Sequence, residues 1–535
     1  MRTLNSYAYS CAGLLRFFLL MLIVCGLFQS FAQAQEDMSA EGPGQLLCKA
    51  FVEKQPQVHG QWKTSPTLMP INPVHVALLN TGKVLVIAGS GNVPGNKDYE
   101  ALVLDPKTQL VEKPLKLTWD MFCSGMVILP NGSPLILGGT KSYPNKTLKT
   151  KFAGEPYASI FDPVAEQFMD TKKTMGRGRW YPTGTVLSDG SVMVIGGWDE
   201  SGAGNTNMDV QKYEYLSDTW STIGTAFQGV PLYPREHLLK IGNIEEIFET
   251  GANPDSQMLD PSTGKWSKVD PTHTGPRRDH GTSVLLPLDL SNNPVLPKVL
   301  ILGGSNVDQI GSLATNSAEI MDFSKTPWKW VTGNPMRHAR EELNATLLPN
   351  LQVLVSGGSL KNEIADLPSR EAELYDSSTG TFSSASTMEC AHLYHSNTLL
   401  LPDATVLAVG GNPKQKTYER HIEIYSPPYL FDKNGKPATR PDLAAPAVIH
   451  YGSSFQISTQ NVNNIGSVVL VRPGAVTHAF DMEQRLIKLV HKIESGALTA
   501  IAPPDGTIAP PGFYLLFILD STGVPSKGQF VQLMK

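Results

Sequence analysis

The chain repeats itself. Seven times an apolar strand runs into a turn, returns as a second apolar strand and ends in Gly-Gly or a near match, starting from His75, Gly125, Thr183, His237, Thr282, Asn344 and Asn397. TGTVLSDGSVMVIGG from Thr183 and NTLLLPDATVLAVGG from Asn397 show the pattern most clearly. Turn residues between two apolar runs mark a β-hairpin, so each segment predicts two adjacent antiparallel strands. A third strand follows, as in ASIFDP (Ala158–Pro163) and EAELYD (Glu371–Asp376). A fourth often carries an aromatic: Trp220, Trp266, Trp330 or Phe382. One such unit cannot bury its apolar faces alone, whereas stacked units share a continuous core.

The glycine ends recur every 50 to 58 residues, close to the kelch period. The seventh repeat has its third strand, IEIYSPP (Ile422–Pro428), but no fourth, and an orphan fourth-strand pattern, HGQWKTS with Trp62, precedes the first hairpin. A ring in which the N-terminal strand completes the last unit leaves no sheet edge open. The expected architecture is therefore all-β: a seven-bladed kelch-type β-propeller over residues 58–428. Residues 429–535 hold short strand-like runs (Ser454–Ile457, Ser467–Val471, Tyr514–Leu519) between Pro- and Gly-rich turns, which predicts an immunoglobulin-like β-sandwich. A length of 535 residues with 47 Gly and 40 Pro agrees with two domains of many short strands.

At the N-terminus, Arg2 and Arg16 precede an apolar block, Phe17 to Phe28, and then Ala32-Gln33-Ala34. A charged start, a short apolar core and an A-x-A site predict a secretory signal peptide over 1–34, with a connecting segment over 35–57. An uncleaved anchor is the rival reading. Cleavage implies a periplasmic or extracellular protein and removes Cys11 and Cys25, leaving Cys48, Cys123 and Cys390. Three is an odd number in an oxidising compartment, so at least one cysteine has another task. The net charge of −5 is spread without a basic stripe, which argues against a nucleic-acid partner.

Three residues share one register. Cys123, Tyr181 and His395 each lie 15 residues before the first Gly of their pair (Gly138, Gly196, Gly410), and Tyr394 adjoins His395. Equivalent positions in equivalent repeats sit at one height around a common axis, so metal-competent side chains should converge there. Taken singly, each has a plainer reading: a buried Cys as apolar filler, a Tyr bonded to a neighbouring loop, a structural His. The shared register favours a metal site.

RWYPTG around Tyr181, FCSG around Cys123, LYHS around Tyr394 and His395, and RPGAVTHAFDMEQR around His478 resemble the galactose oxidase and glyoxal oxidase family of copper radical oxidases. The likeness covers nearly the whole mature chain, including APPGFYLLFILDSTGVPS near its end. It implies one copper ion held by Tyr181, Tyr394, His395 and His478, with the Tyr181 ring joined to the Cys123 sulfur by a thioether formed after synthesis. Tyr394 would take the substrate hydroxyl proton and the Tyr181 radical would accept hydrogen from carbon. Dioxygen would reoxidise the pair, giving hydrogen peroxide. Imidazole and phenolate donors suit cupric copper. With Cys123 so employed, a Cys48–Cys390 disulfide is expected.

In galactose oxidase a tryptophan shields the cross-linked tyrosine. The nearest candidate here, Trp198, is one residue off that spacing, and either shields the radical or packs in its loop. Arg235, His237, His280 and Arg340 start other repeats and form a candidate substrate rim, or else are ordinary loop charges. No carbohydrate-binding module precedes the repeats. The expected substrate is thus a small aldehyde or simple primary alcohol, oxidised with dioxygen by a monomer. The alternative from another class is a non-catalytic kelch propeller that binds glycan or a cell-envelope partner.

Overall fold

The computed structural model describes residues 48–111, 114–271, 277–412 and 417–535. The expected leader over 1–34 and the segment up to residue 47 lie outside these. Among the described residues, helix is confined to Pro56–His59 and two 3-10 turns, Pro428–Leu430 and Val462–Asn464, and no helix is long and apolar enough to cross a membrane. The protein is all-β.

The seven hairpins build seven antiparallel sheets in sequence order. Trp180–Val186, Val192–Trp198, Asp209–Glu214 and Thr219–Thr225 form a typical one, each strand beside the next. First and second strands read as unbroken apolar runs because both their faces are covered: Gly125–Ile128, Pro134–Leu137 and Val406–Gly410 are buried at every residue. Fourth strands such as Gln167–Asp170 are mostly exposed.

A repeated clamp closes several sheets. Arg340, fully buried, donates from Nη1 to the Gly357 carbonyl (3.0 Å) and from Nη2 to Glu373 (2.8 Å) on the third strand. Arg278 makes the same contacts with Gly303 and Glu319, and Arg179 with Gly196 and Gln211. In the last repeat His392 takes this place, between the Gly410 carbonyl (2.7 Å) and Glu423 (2.9 Å). A buried cation is tolerated because the Nη donors of each guanidinium find carbonyl or carboxylate oxygens.

The seventh sheet is completed by the N-terminal strand Gln61–Leu68, which runs antiparallel to His421–Ser426 with Trp62 opposite Tyr425. Trp62 is 3% exposed, packs against Tyr425 with tilted rings 4.9 Å apart and donates from Nε1 to the Ser386 carbonyl at 3.0 Å.

The C-terminal region supplies five strands of a six-stranded sheet, in which Ile465–Val471 and Gly512–Asp520 pair centrally and Leu288–Asp289 of the fifth repeat adds an edge. It also forms a three-stranded sheet of Ser454–Ile457, Ala497–Ile501 and His491–Glu494. Their facing sides share one apolar core around Phe455, Leu470, Leu498 and Leu516. One hairpin leaves this core: Ala475–Thr477 pairs with His75–Leu78 and extends the first sheet.

Trp62→Ala removes a buried indole and its hydrogen bond from the strand that joins the chain's start to its last repeat. The expected loss is about 3–5 kcal/mol of unfolding free energy, read by urea denaturation.

Candidate metal centre

The shared register has a backbone cause. Cys123, Tyr181, His280, Glu342 and His395 all adopt left-handed backbone, with φ of 62°, 67°, 53°, 62° and 65°. A side chain in that region costs about 1–2 kcal/mol, so its recurrence at one position of five repeats is imposed by the fold. Neighbouring repeats are laced at this level: the Tyr181 amide donates to the Cys123 carbonyl (3.0 Å), that of Tyr233 to Tyr181 (2.9 Å) and that of Glu342 to His280 (2.6 Å). His478, also left-handed with φ of 48°, arrives on the turn of the C-terminal hairpin.

These elements bring four side chains together. The Tyr181 and Tyr394 hydroxyls are 2.6 Å apart, and His478 Nε2 is 3.0 Å from the Tyr181 hydroxyl. The His395 and His478 rings meet edge to face at 4.5 Å. Cys123 Sγ is 3.9 Å from His478 Nε2, and metal-binding atoms of Cys123, His395 and His478 lie within 4.8 Å of one another. The Tyr181 side chain packs against the buried cluster that holds Cys123. Cys123 is the free cysteine among the described residues, while Cys48 and Cys390 are each disulfide-bonded.

The second nitrogen of each imidazole fixes its tautomer. Asn412 Oδ1 can only accept, so His395 Nδ1 carries the proton toward it. Asn412 is itself oriented by its amide bond to the Thr417 carbonyl. Thr477 donates its hydroxyl to the Val74 carbonyl (3.1 Å) and therefore accepts from His478 Nδ1 (2.6 Å). Both Nε2 atoms thus hold lone pairs, and His395 Nε2 is buried without a hydrogen-bond partner. An orphaned acceptor of that kind calls for a ligand.

Electrostatics agree. Burial, and then neighbouring His280, hold His395 down at about 4. Burial, and then His395 and His75, hold His478 well below its usual value. Both rings are neutral at physiological pH, the form in which an imidazole can bind a metal. Burial foremost pushes the Tyr181 and Tyr394 phenols well above 10, with Cys123 adding to each. Without a cation both phenols keep their protons, and a bound metal would replace them. Two imidazole nitrogens and two phenol oxygens converging on one point fit a tetragonal cupric site.

The four residues form the floor of a cavity of about 640 Å³. Arg235 and His280 line it. The His280 Nε2 atom meets Asp308 Oδ1 at 2.9 Å. Burial alone would lower this imidazole, but the Asp308 bond and charge, backed by Glu342 and Glu341, hold it up at about 9. His237 and Arg340 are not among the lining residues. His237 is buried against Ser283 Oγ at 2.8 Å, and Arg340 is spent on the sheet clamp.

The tryptophan stacked directly on Tyr181 is Trp180, with centroids 3.9 Å apart and planes 9° apart. Trp198 stacks on Trp180 instead, at 5.0 Å. Motif spacing does not reveal this contact, because Trp180 is the chain neighbour of Tyr181 and stacks on it only through the turned backbone at Tyr181. A second ring, Tyr233, stacks on Tyr181 at 4.4 Å and donates its hydroxyl to the Ser124 carbonyl at 2.8 Å.

The family profile described as glyoxal oxidase N-terminus matches residues 98–429. The chain belongs to the glyoxal oxidase family. The profile of the galactose oxidase-like early set domain, found beside it, matches residues 440–533. An aldehyde oxidase (GLOX) of Vitis pseudoreticulata is 30% identical over 481 residues, 81% of this chain and 86% of that protein. A galactose oxidase of Gibberella zeae is 27% identical over 89% of this chain and 70% of its own length. A fungal alcohol oxidase solved in complex with copper shares the fold, with a TM-score of 0.76 and 24% identity over 89% of this chain and all of that one.

In this glyoxal oxidase family member, Asn412 and Thr477 are functional neighbours that no motif announces, since an Asn or Thr carries no signal until its partner imidazole is placed. Removing the tautomer-fixing acceptor should weaken metal binding: Asn412→Ala is expected to lower cupric affinity about 10–100-fold, measured by competition titration.

Proposed function

We propose that the protein is an exported copper radical oxidase that converts a small aldehyde or primary alcohol, with dioxygen, to the acid or aldehyde and hydrogen peroxide. The observation that carries this reading is the convergence of two imidazole lone pairs on two half-buried phenols beside the Cys123 thiol. Tyr181, Tyr394, His395 and His478 would hold the ion. Copper bound there supplies one of the two one-electron acceptors that a two-electron oxidation needs. The other would be Tyr181, whose ring, fused through a carbon to the Cys123 sulfur, spreads an unpaired electron over more atoms.

The chain's own groups fill the remaining roles. Tyr394 faces the cavity with its hydroxyl 2.6 Å from that of Tyr181, so once deprotonated it can take the substrate hydroxyl proton within hydrogen-bond reach. Trp180 covers Tyr181 and keeps water from the ring. The amide of Tyr394 donates to Glu342 Oε2 at 3.1 Å, which orients the base. Arg235 and His280 supply polar contacts on the cavity wall.

The seven four-stranded units, joined start to end by Gln61–Leu68, support a seven-bladed propeller, and the two C-terminal sheets around one core support an immunoglobulin-like sandwich. The Lys49 amide bonds the Glu389 carbonyl at 2.6 Å, so the neighbours of Cys48 and Cys390 meet, in keeping with a disulfide between those two. Export rests on the leader pattern.

Copper-loaded protein is expected to release peroxide with aldehydes or primary alcohols, and chelation to abolish it. Wild-type protein matured with copper should be about two daltons lighter than its sequence mass, through loss of the thiol and ring hydrogens. Cys123→Ser should show neither the deficit nor the activity. A matured protein at full mass that forms no peroxide would refute the proposal.

A further inference from the structure

The rings around Tyr181 lead outward. Trp180 is parallel to Tyr181 at 3.9 Å, and Trp198 follows at 5.0 Å with planes 28° apart. Trp180 is buried and Trp198 is half-buried. The exposed Lys151 sets its Nζ atom 5.2 Å above the Trp198 ring. Tyr181, Trp180 and Trp198 all line the cavity, so three oxidisable rings stand in contact along its wall and end at the half-buried Trp198. The other rings that stack on this group do not continue it. Phe152 lies on Trp180 at 4.2 Å but is far harder to oxidise than an indole. Tyr233 gives its hydroxyl to the Ser124 carbonyl, which is no base for the proton a phenol must lose on oxidation.

We propose that Trp180 and Trp198 form a one-electron relay between Tyr181 and the protein surface, through which an outer-sphere oxidant too large for the cavity sets the radical state. The inference rests on the copper radical reading above. One electron leaves the Tyr181 phenolate, passes through the two indoles and reduces the external oxidant by one electron. No bond forms or breaks, and no proton moves, because the phenolate has already lost its proton on binding the metal. The oxidant is a bulky one-electron metal complex of the tris(bipyridyl)ruthenium(III) class. The Lys151 charge opposes positive charge on the outer indole, so it restrains the relay and limits adventitious oxidation.

The relay differs from a shield in what it predicts. A shield sets the potential of Tyr181, whereas a relay sets the rate at which oxidants outside reach it. Trp198→Phe preserves an aromatic ring against Trp180 while removing the outer oxidisable station. In copper-loaded protein oxidised by flash-generated tris(bipyridyl)ruthenium(III), the radical absorption should grow about tenfold more slowly in this variant. The midpoint potential of the radical, by redox titration, should stay at the wild-type value. Lys151→Met should speed radical growth. An unchanged rate in Trp198→Phe overturns the relay, and so does slowing accompanied by a shifted potential, which assigns the stack a purely structural part. Wild-type protein that gives no radical absorption at all overturns the oxidase reading, and the relay with it.

Discussion

A three-residue strand pairing holds the site together. Thr477, Val476 and Ala475 lie opposite His75, Val76 and Ala77, and this short ladder sets the C-terminal hairpin on the innermost strand of the first sheet, with His478 at its turn. The base of the hairpin is braced by a buried pair, Arg472 with Glu483. Glu483 Oε1 accepts the Ile128 amide at 2.7 Å and Arg472 Nη2 donates to the Ile128 carbonyl at 3.0 Å. Together the two side chains satisfy one strand residue's backbone as a neighbouring strand would. Losing either would strand a buried charge, a loss of about 3–5 kcal/mol, and would free the one imidazole that the repeats cannot supply.

How much of this was legible in the sequence follows from what each feature depends on. The repeats were readable because hairpins are local: alternating apolar runs, turn residues and terminal glycines specify them within some fifteen residues. The register of Cys123, Tyr181 and His395 was readable for the same reason, since counting from the glycine pair is counting along one hairpin. Trp180 was missed although it adjoins Tyr181. Adjacent residues do not stack in an ordinary strand, where successive side chains point to opposite faces. Here the left-handed turn at Tyr181 swings its ring back onto the indole before it. Arg340 looked like a rim charge because an Arg at a strand start is usually solvated. Its clamp is visible only when Gly357 and Glu373 fold back to meet it.

The clamp and the site are two parts of one local design. Arg179, Arg278 and Arg340 each stand two residues before a left-handed position, at Tyr181, His280 and Glu342. By tying the first glycine carbonyl of the pair to the third strand, each guanidinium fixes the backbone just ahead of the turned residue. The rigidity that a ligand set needs is thus supplied by residues of the repeat rather than by residues peculiar to the site.

Register alone does not decide which turned residue becomes a candidate ligand. Five left-handed positions present Cys123, Tyr181, His280, Glu342 and His395 at one level, yet two of them are already engaged. Glu342 accepts the Tyr394 and Glu363 amides, at 3.1 and 3.2 Å, and His280 is held by Asp308. His395, with Asn412 occupying its other nitrogen, is left with a buried lone pair that nothing satisfies. Tyr181 keeps its oxygen among the other candidate donors while Trp180 and Tyr233 cover its ring. The site is therefore chosen by subtraction: the fold offers a ring of equivalent places, neighbouring side chains consume the hydrogen-bonding capacity of some, and the donors left over are those that converge.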